Sequence, residues 1–194
     1  MNSEMAKKIL ALDDRVIEYD ENSLTCMSPK FKSFFPIPWM DLVNHMTCYK
    51  IDASHVGSER LDPYITAIEK ELRFFGFSEE DIFEYNVCIS EAIHNAQGHT
   101  LNKQPGEKVS LSLFLKDKLS FARITSMGEP YNFEKAVESV RTLHENLLKE
   151  SGRGTYIMAT LCDFFHVEAE GNETEVFLGK IASGAVLGDN LYAL

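Results

Sequence analysis

Apolar residues along the middle of the chain recur at two periods, and these separate helices from strands. Over residues 58–75, Leu61, Ile65, Ile68 and Leu72 return every three or four positions among charged residues, the spacing of one buried helix face. Gly76 predicts the end of that helix. Ser78 followed by Glu79, Glu80 and Asp81 predicts the start of a second one. A serine oxygen accepts from the free N–H groups of a first turn, and acidic side chains suit its partial positive charge. The second helix is expected to run to about His99. Its residues Ile82, Tyr85, Ile89, Ala92, Ile93 and Ala96 fall on one face, while Cys88, Glu91, Asn95 and His99 share the neighbouring stripe. The small residues Ala92, Ala96 and Gly98 leave room for something to approach closely.

The period then drops to two. "KVSLSLFLKDKLSFARI" predicts two strands joined at 116–118, with Val109, Leu111, Leu113 and Leu115 on one face. "NFEKAVESVRTLHENLLKE" returns to a helical pattern. "SGRGTYIMATLCDFF" reads as a glycine-rich turn entering a helix whose expected buried stripe is Ile157, Leu161 and Phe164. "HVEAEGNETEVFLGK" predicts a closing hairpin around Gly171 and Asn172.

Residues 1–45 follow a different pattern. "RVIEY" and "LTCMS" flank the turn-forming "DENS", which predicts a hairpin. In "FFPIPWM" two prolines forbid a regular element, and its aromatics, Trp39 included, read as cover for a core edge. "CYKIDA" predicts a short strand. From there the order is helix, helix, strand, strand, helix, helix, strand, strand. That order predicts an α+β fold, a two-layer sandwich of helices on one face of a mainly antiparallel sheet. The expected organisation is an N-terminal extension over 1–45, one domain over 46–182 and a tail over 183–194.

Composition narrows the functional classes. The chain has 194 residues, 44% hydrophobic and 25% charged, enough to bury one core. A net charge of −11 leaves no excess of Lys and Arg to neutralise phosphates, so direct nucleic-acid binding is not expected. Cys26, Cys48, Cys88 and Cys162 form no C-x-x-C pair, which fits a reducing cytoplasm better than a disulfide framework. No apolar run approaches a membrane span, so no membrane partner is expected. His45 and His55 read as surface histidines.

Two stretches carry candidate chemistry. The stripe Glu91, Asn95, His99 suits magnesium and a nucleotide: a carboxamide and phosphate oxygens satisfy Mg²⁺, and a carboxylate one turn away can take a proton. It equally suits a solvated helix edge. A zinc site is the weaker reading, since no H-E-x-x-H is present. In "SGRGTYIMATLCD", Gly152 and Gly154 stand just before a helix, where glycines let backbone approach an anion and free N–H groups hold phosphate; Arg153 and Thr155 add charge and a hydroxyl. The loop is neither a Walker A motif nor G-x-G-x-x-G.

Together these stretches resemble a known family. "SEAIHNAQGH" resembles the N-box, and "GRGTYIMATLCD" the G-box, of the GHKL (histidine-kinase-like) ATPase superfamily. The wording is most similar to the bacterial anti-sigma factor serine kinases, over residues 48–182. The resemblance implies ATP and Mg²⁺ as cofactors, Glu91 as general base, Asn95 as magnesium ligand, and Gly152, Arg153, Gly154 and Thr155 as the phosphate loop. It implies a mobile lid over about 131–151, with His99 as a cap or hinge support beside the nucleotide. One box departs: where the family has Asp-x-Gly-x-Gly for adenine, this chain has "SMGEP", which keeps Gly128 but puts Ser126 and Pro130 in the other places. A serine hydroxyl still accepts a hydrogen bond, without the charge. The expected function is a cytoplasmic serine/threonine protein kinase that phosphorylates an anti-sigma factor antagonist and binds a sigma factor in transcription regulation, as a homodimer by family expectation. The alternative is a degenerate binding module that switches partners without phosphoryl transfer, with "FFPIPWM" contributing its surface.

Overall fold

The computed structural model describes residues 8–12, 15–20, 22–34, 43, 46–53, 62–100, 109–128, 132, 133, 135–138 and 153–185. Eight strands form one sheet: β1 (Lys8–Leu12), β2 (Arg15–Tyr19), β3 (Ser23–Met27), β4 (Thr47–Asp52), β5 (Val109–Lys116), β6 (Leu119–Met127), β7 (Phe164–Glu170) and β8 (Glu173–Ile181). Their order is β1-β2-β3-β7-β8-β6-β5-β4, and every neighbouring pair is antiparallel. The helices described end to end are α1 (Pro29–Phe34), α2 (Asp62–Phe74), α3 (Glu79–Thr100) and α4 (Arg153–Leu161). The expected α+β sandwich is therefore the fold observed. Among the described residues no helix is long and apolar enough to cross a membrane.

The helix signals in the sequence act where they stand. In α2, Ile68 and Leu72 are buried and Ile65 is partly buried; Leu61 lies outside the described residues. Gly76 adopts φ +83, a left-handed conformation that ends the helix, and the N–H of Phe77 turns back to the carbonyl of Leu72 at 3.1 Å. Ser78 and Asp81 then cap α3 reciprocally. The Asp81 N–H donates to Ser78 Oγ at 3.1 Å, and the Ser78 N–H donates to Asp81 Oδ2 at 3.2 Å.

Helix α3 lies across the sheet. Ile82, Tyr85, Ile89, Ala92, Ile93 and Ala96 are all buried, as the wheel predicts, against Leu111, Leu113, Leu115, Ala122, Ile124 and Leu178. The fully buried Tyr85 hydroxyl on this face is satisfied: it donates to the Leu178 carbonyl at 2.9 Å and accepts from Ser120 Oγ at 3.3 Å. The opposite face holds a second, smaller core of Phe31, Val43, Phe114, Leu119, Phe121, Phe164, Phe177 and Ile181. Phe31 of α1 closes it, stacked on Phe164 with centroids 4.7 Å apart.

The N-terminal strands share this sheet. The expected hairpin is β2–β3, whose turn is held by Asp20 Oδ1 accepting from the N–H groups of Asn22 and Ser23 at 2.9 and 2.8 Å. Strand β3 pairs with β7 from Ser23↔Glu168 to Met27↔Phe164. Strand β1 and helix α1 were not anticipated, although Ser28 followed by Pro29 is a helix-start signature and Ser28 Oγ does accept from the Phe31 N–H at 3.1 Å. Residues 35–40 of "FFPIPWM", with Trp39, and also His45 and His55, lie outside the described residues.

Asp81 also ties the chain beyond β8 to the start of α3, accepting from Ser183 N–H at 2.9 Å and Ser183 Oγ at 2.7 Å. Burial alone would raise its pKa, but the hydrogen bonds from Ser183 and Ser78 outweigh burial and hold it below the ordinary carboxylate value. Its folded pKa is depressed, so its contribution is present above the unfolded pKa of about 4 and is lost as pH falls through the lower folded value. Asp81→Asn should cost about 1–3 kcal/mol of stability in urea unfolding at neutral pH. The gap from the wild type should narrow as the pH falls below about 4; a gap of unchanged size across that range would contradict the assignment.

Candidate functional site

Glu91 and Asn95 stand one turn apart on α3, Glu91 half-buried and Asn95 exposed, along the margin of the core formed by Ala92, Ile93 and Ala96. The polar stripe is shorter than the wheel suggests. Cys88, expected at its start, is fully buried, because α4 packs over it; Cys88 Sγ faces the carbonyl of Ile157 at 3.9 Å. His99 lies in the last turn of α3, and its side chain is outside the described residues.

The start of α4 meets this margin. Gly154 is buried, and a Cβ placed on it would come within 2.8 Å of Asn95 Nδ2, 2.9 Å of Glu91 Oε2 and 3.5 Å of Asn95 Oδ1. Any side chain at residue 154 would push the ends of Glu91 and Asn95 out of these places, and glycine leaves them where they are. Two motifs about sixty residues apart in the chain thus converge at one point. The neighbouring Thr155 is buried, Arg153 is exposed, and Gly152 lies outside the described residues. A helix start beside a carboxylate and a carboxamide presents N–H donors, a hydroxyl and a guanidinium from one side and oxygen ligands from the other.

The close approach also corrects the expected face of α4. Its buried residues are Gly154, Thr155, Met158 and Ala159, whereas Ile157 and Leu161 are only partly buried. Phe164 is not in the helix but in β7, in the core on the far side of the sheet. The face that the helix turns inward is thus the one begun by Gly154, at the close approach to α3, and continued by Met158.

Ser126 is buried near the end of β6, paired with Val109 and Thr174. The pleat places it on the same face as Ala122 and Ile124, the face that α3 covers. Gly128 follows, half-buried, its N–H donating to the Asn172 carbonyl at 2.8 Å. Of the expected lid, residues 133 and 135–138 are helical, started by Asn132 Oδ1 accepting from the Lys135 N–H at 2.8 Å, with Phe133, Ala136 and Val137 buried. Residues 139–151 lie outside the described ones.

One pair was missed. Lys180, buried in β8, reaches Glu84 Oε2 of α3 at 2.5 Å and the Leu161 carbonyl of α4 at 2.9 Å. Burial would lower its pKa, but the Glu84 carboxylate outweighs this and holds it above the usual lysine value. It joins the two helices of the site from below. A lysine inside "VFLGKIA" is the only hint the sequence carries of this pair.

Comparison with known proteins agrees with this geometry. A family profile described as "Histidine kinase-like ATPase domain" matches residues 58–180. The chain is 28% identical over 92 residues to Serine-protein kinase RsbW of Oceanobacillus iheyensis, covering 45% of this chain and 58% of that protein. It is 27% identical over 116 residues to Serine-protein kinase RsbW of Bacillus velezensis, with 56% and 70% covered. It is 29% identical over 106 residues to that of Bacillus pumilus, with 51% and 65% covered. The match therefore spans less than two thirds of the length of two of these three relatives.

Gly154→Ala separates the site from the fold. Alanine is the better helix former by about 1 kcal/mol, so the melting temperature should stay level or rise. The new Cβ must displace Glu91 and Asn95, so ATP affinity measured by calorimetry should fall about tenfold or more, the worth of one charge-assisted contact. Unchanged affinity would show that this contact is not part of a nucleotide site.

Proposed function

The chain belongs to the histidine kinase-like ATPase domain family, and we propose that within it the protein is an ATP-dependent serine/threonine kinase of the anti-sigma factor type. The observation that supports this reading most is the convergence of Glu91, Asn95 and Gly154 within about one contact distance. In the proposal, ATP lies along the margin of α3 with its phosphates against the start of α4. Thr155, Arg153 and the helix N–H groups hold the phosphate oxygens, so that the family's wrapping stretch is here Gly152 and the first turn of α4. Ser126 and Gly128 take the adenine end, where the serine hydroxyl replaces the family's carboxylate as acceptor.

The site suits magnesium by its donor set: the Asn95 carboxamide oxygen is exposed beside the Glu91 carboxylate, and the missing Cβ at residue 154 keeps the space between them open. When bound there, magnesium would neutralise charge on the phosphates. The protein's own part is positioning and proton transfer. A substrate serine oxygen attacks the γ-phosphorus, the bond to the bridging oxygen breaks and ADP leaves, while the Glu91 carboxylate accepts the serine proton. His99 supports the lid hinge. The substrate is a serine of an anti-sigma factor antagonist, and the second partner is a sigma factor. The similarity to proteins named serine-protein kinases supports phosphoryl transfer over partner switching by a degenerate site.

Glu91→Gln keeps the size and hydrogen bonding of the side chain but removes the base. It should bind Mg–ATP within about threefold of the wild type while phosphate transfer to an antagonist protein, read by intact mass, falls about 100-fold or more. Transfer at the wild-type rate would remove Glu91 from this role.

A further inference from the structure

The last turn of α4 is held by side chains from elsewhere, and the two cations among them come from opposite ends of the chain. Helix C-termini leave carbonyls without intrahelical partners. Here the Thr160 carbonyl accepts from Arg15 Nη2 at 2.6 Å, and the Cys162 carbonyl accepts from Arg15 Nη1. The Leu161 carbonyl accepts from Lys180 Nζ at 2.9 Å, and Cys26 Sγ lies 3.5 Å from the Ala159 carbonyl. Four successive carbonyls are thus each met by a side chain, two of these groups being Arg15 and Cys26 from the N-terminal strands β2 and β3. Positive charge at this end also complements the helix dipole, whose positive end is the start of α4.

We infer that Arg15 is a positioning residue of the nucleotide site, acting through helix α4. The inference rests on the proposed nucleotide reading and extends it to a strand outside residues 58–180, the span of the family match. The argument is geometric. Gly154 stands against the ends of Glu91 and Asn95, so the placing of these two side chains depends on where α4 sits. Helix α4 is only nine residues long, and such a rigid rod is fixed by its ends. Its forward end is the phosphate-facing one, so the rear end must carry the restraint. Lys180 supplies one restraint from the sheet beneath, and Arg15 supplies two from a single planar guanidinium, a fork that constrains direction as well as distance. Strands β2 and β3 thereby become part of the nucleotide machinery.

The test uses three variants of the full chain, each assayed for Mg–ATP binding by calorimetry at a temperature where circular dichroism shows it fully folded. Arg15→Ala should raise the Kd about tenfold, within the usual range of coupling between sites. Arg15→Lys, with one donor centre in place of the fork, should recover part of the loss. Asp20→Ala removes the acceptor that holds the β2–β3 turn without touching α4, so it should lower the melting temperature and leave the Kd unchanged. An Arg15→Ala protein that binds like the wild type overturns the role of Arg15 and leaves the nucleotide site standing. So does an Asp20→Ala protein weakened as much as Arg15→Ala, since the effect would then be one of general stability. A wild-type chain that binds no nucleotide overturns the nucleotide reading, and this role with it.

Discussion

Helix α4 meets helix α3 so closely at Gly154 that a side chain there would displace the ends of Glu91 and Asn95. A single methyl group there would sit 2.8 Å from Asn95 and 2.9 Å from Glu91. Everything particular to the site follows from that contact. It brings a helix start beside a carboxylate and a carboxamide. It buries Cys88 and turns Met158 and Ala159 inward. It also makes the site sensitive to small movements of either helix, so the restraints on both matter.

Those restraints are polar and long-range. Helix α3 is fixed at its start by Asp81, which holds Ser78 and Ser183 together, and at its middle by Tyr85, whose hydroxyl is shared between Leu178 and Ser120. Lys180 bridges α3 and α4 through Glu84 and the Leu161 carbonyl. An apolar core alone would set the layer spacing but leave the helices free to slide along the sheet. Directional hydrogen bonds remove that freedom, and those on α3 and α4 supply what a site of fixed geometry needs.

The sequence made some of this legible and hid the rest for identifiable reasons. The apolar face of α3, its Ser78–Asp81 cap and the Gly76 stop are local signals, and each appears where it was expected. So do the β5–β6 and β7–β8 hairpins, whose period-two patterns and turns are also local. Glu91, Asn95 and Gly154 were named from their motifs, and the structure brings those three together, while Gly152 and the His99 side chain lie outside the described residues. The inward face of α4 was misjudged, because Ile157 and Leu161 suggested one stripe while the face turned inward carries Gly154, Met158 and Ala159. Strand β1 carries no alternation to announce it, and it exists by pairing with β2. Arg15 left no trace in any pattern, since it meets its acceptors across 145 and 147 residues of chain, a separation that no window of periodicity reaches.

The central claim is that a magnesium nucleotide lies along the margin of α3, and calorimetric titration of the wild-type chain with ATP, with and without Mg²⁺, tests it most directly. The account predicts saturable binding in the micromolar range that weakens sharply when magnesium is withheld. Absence of binding at millimolar nucleotide, or equal binding with and without the metal, would contradict it.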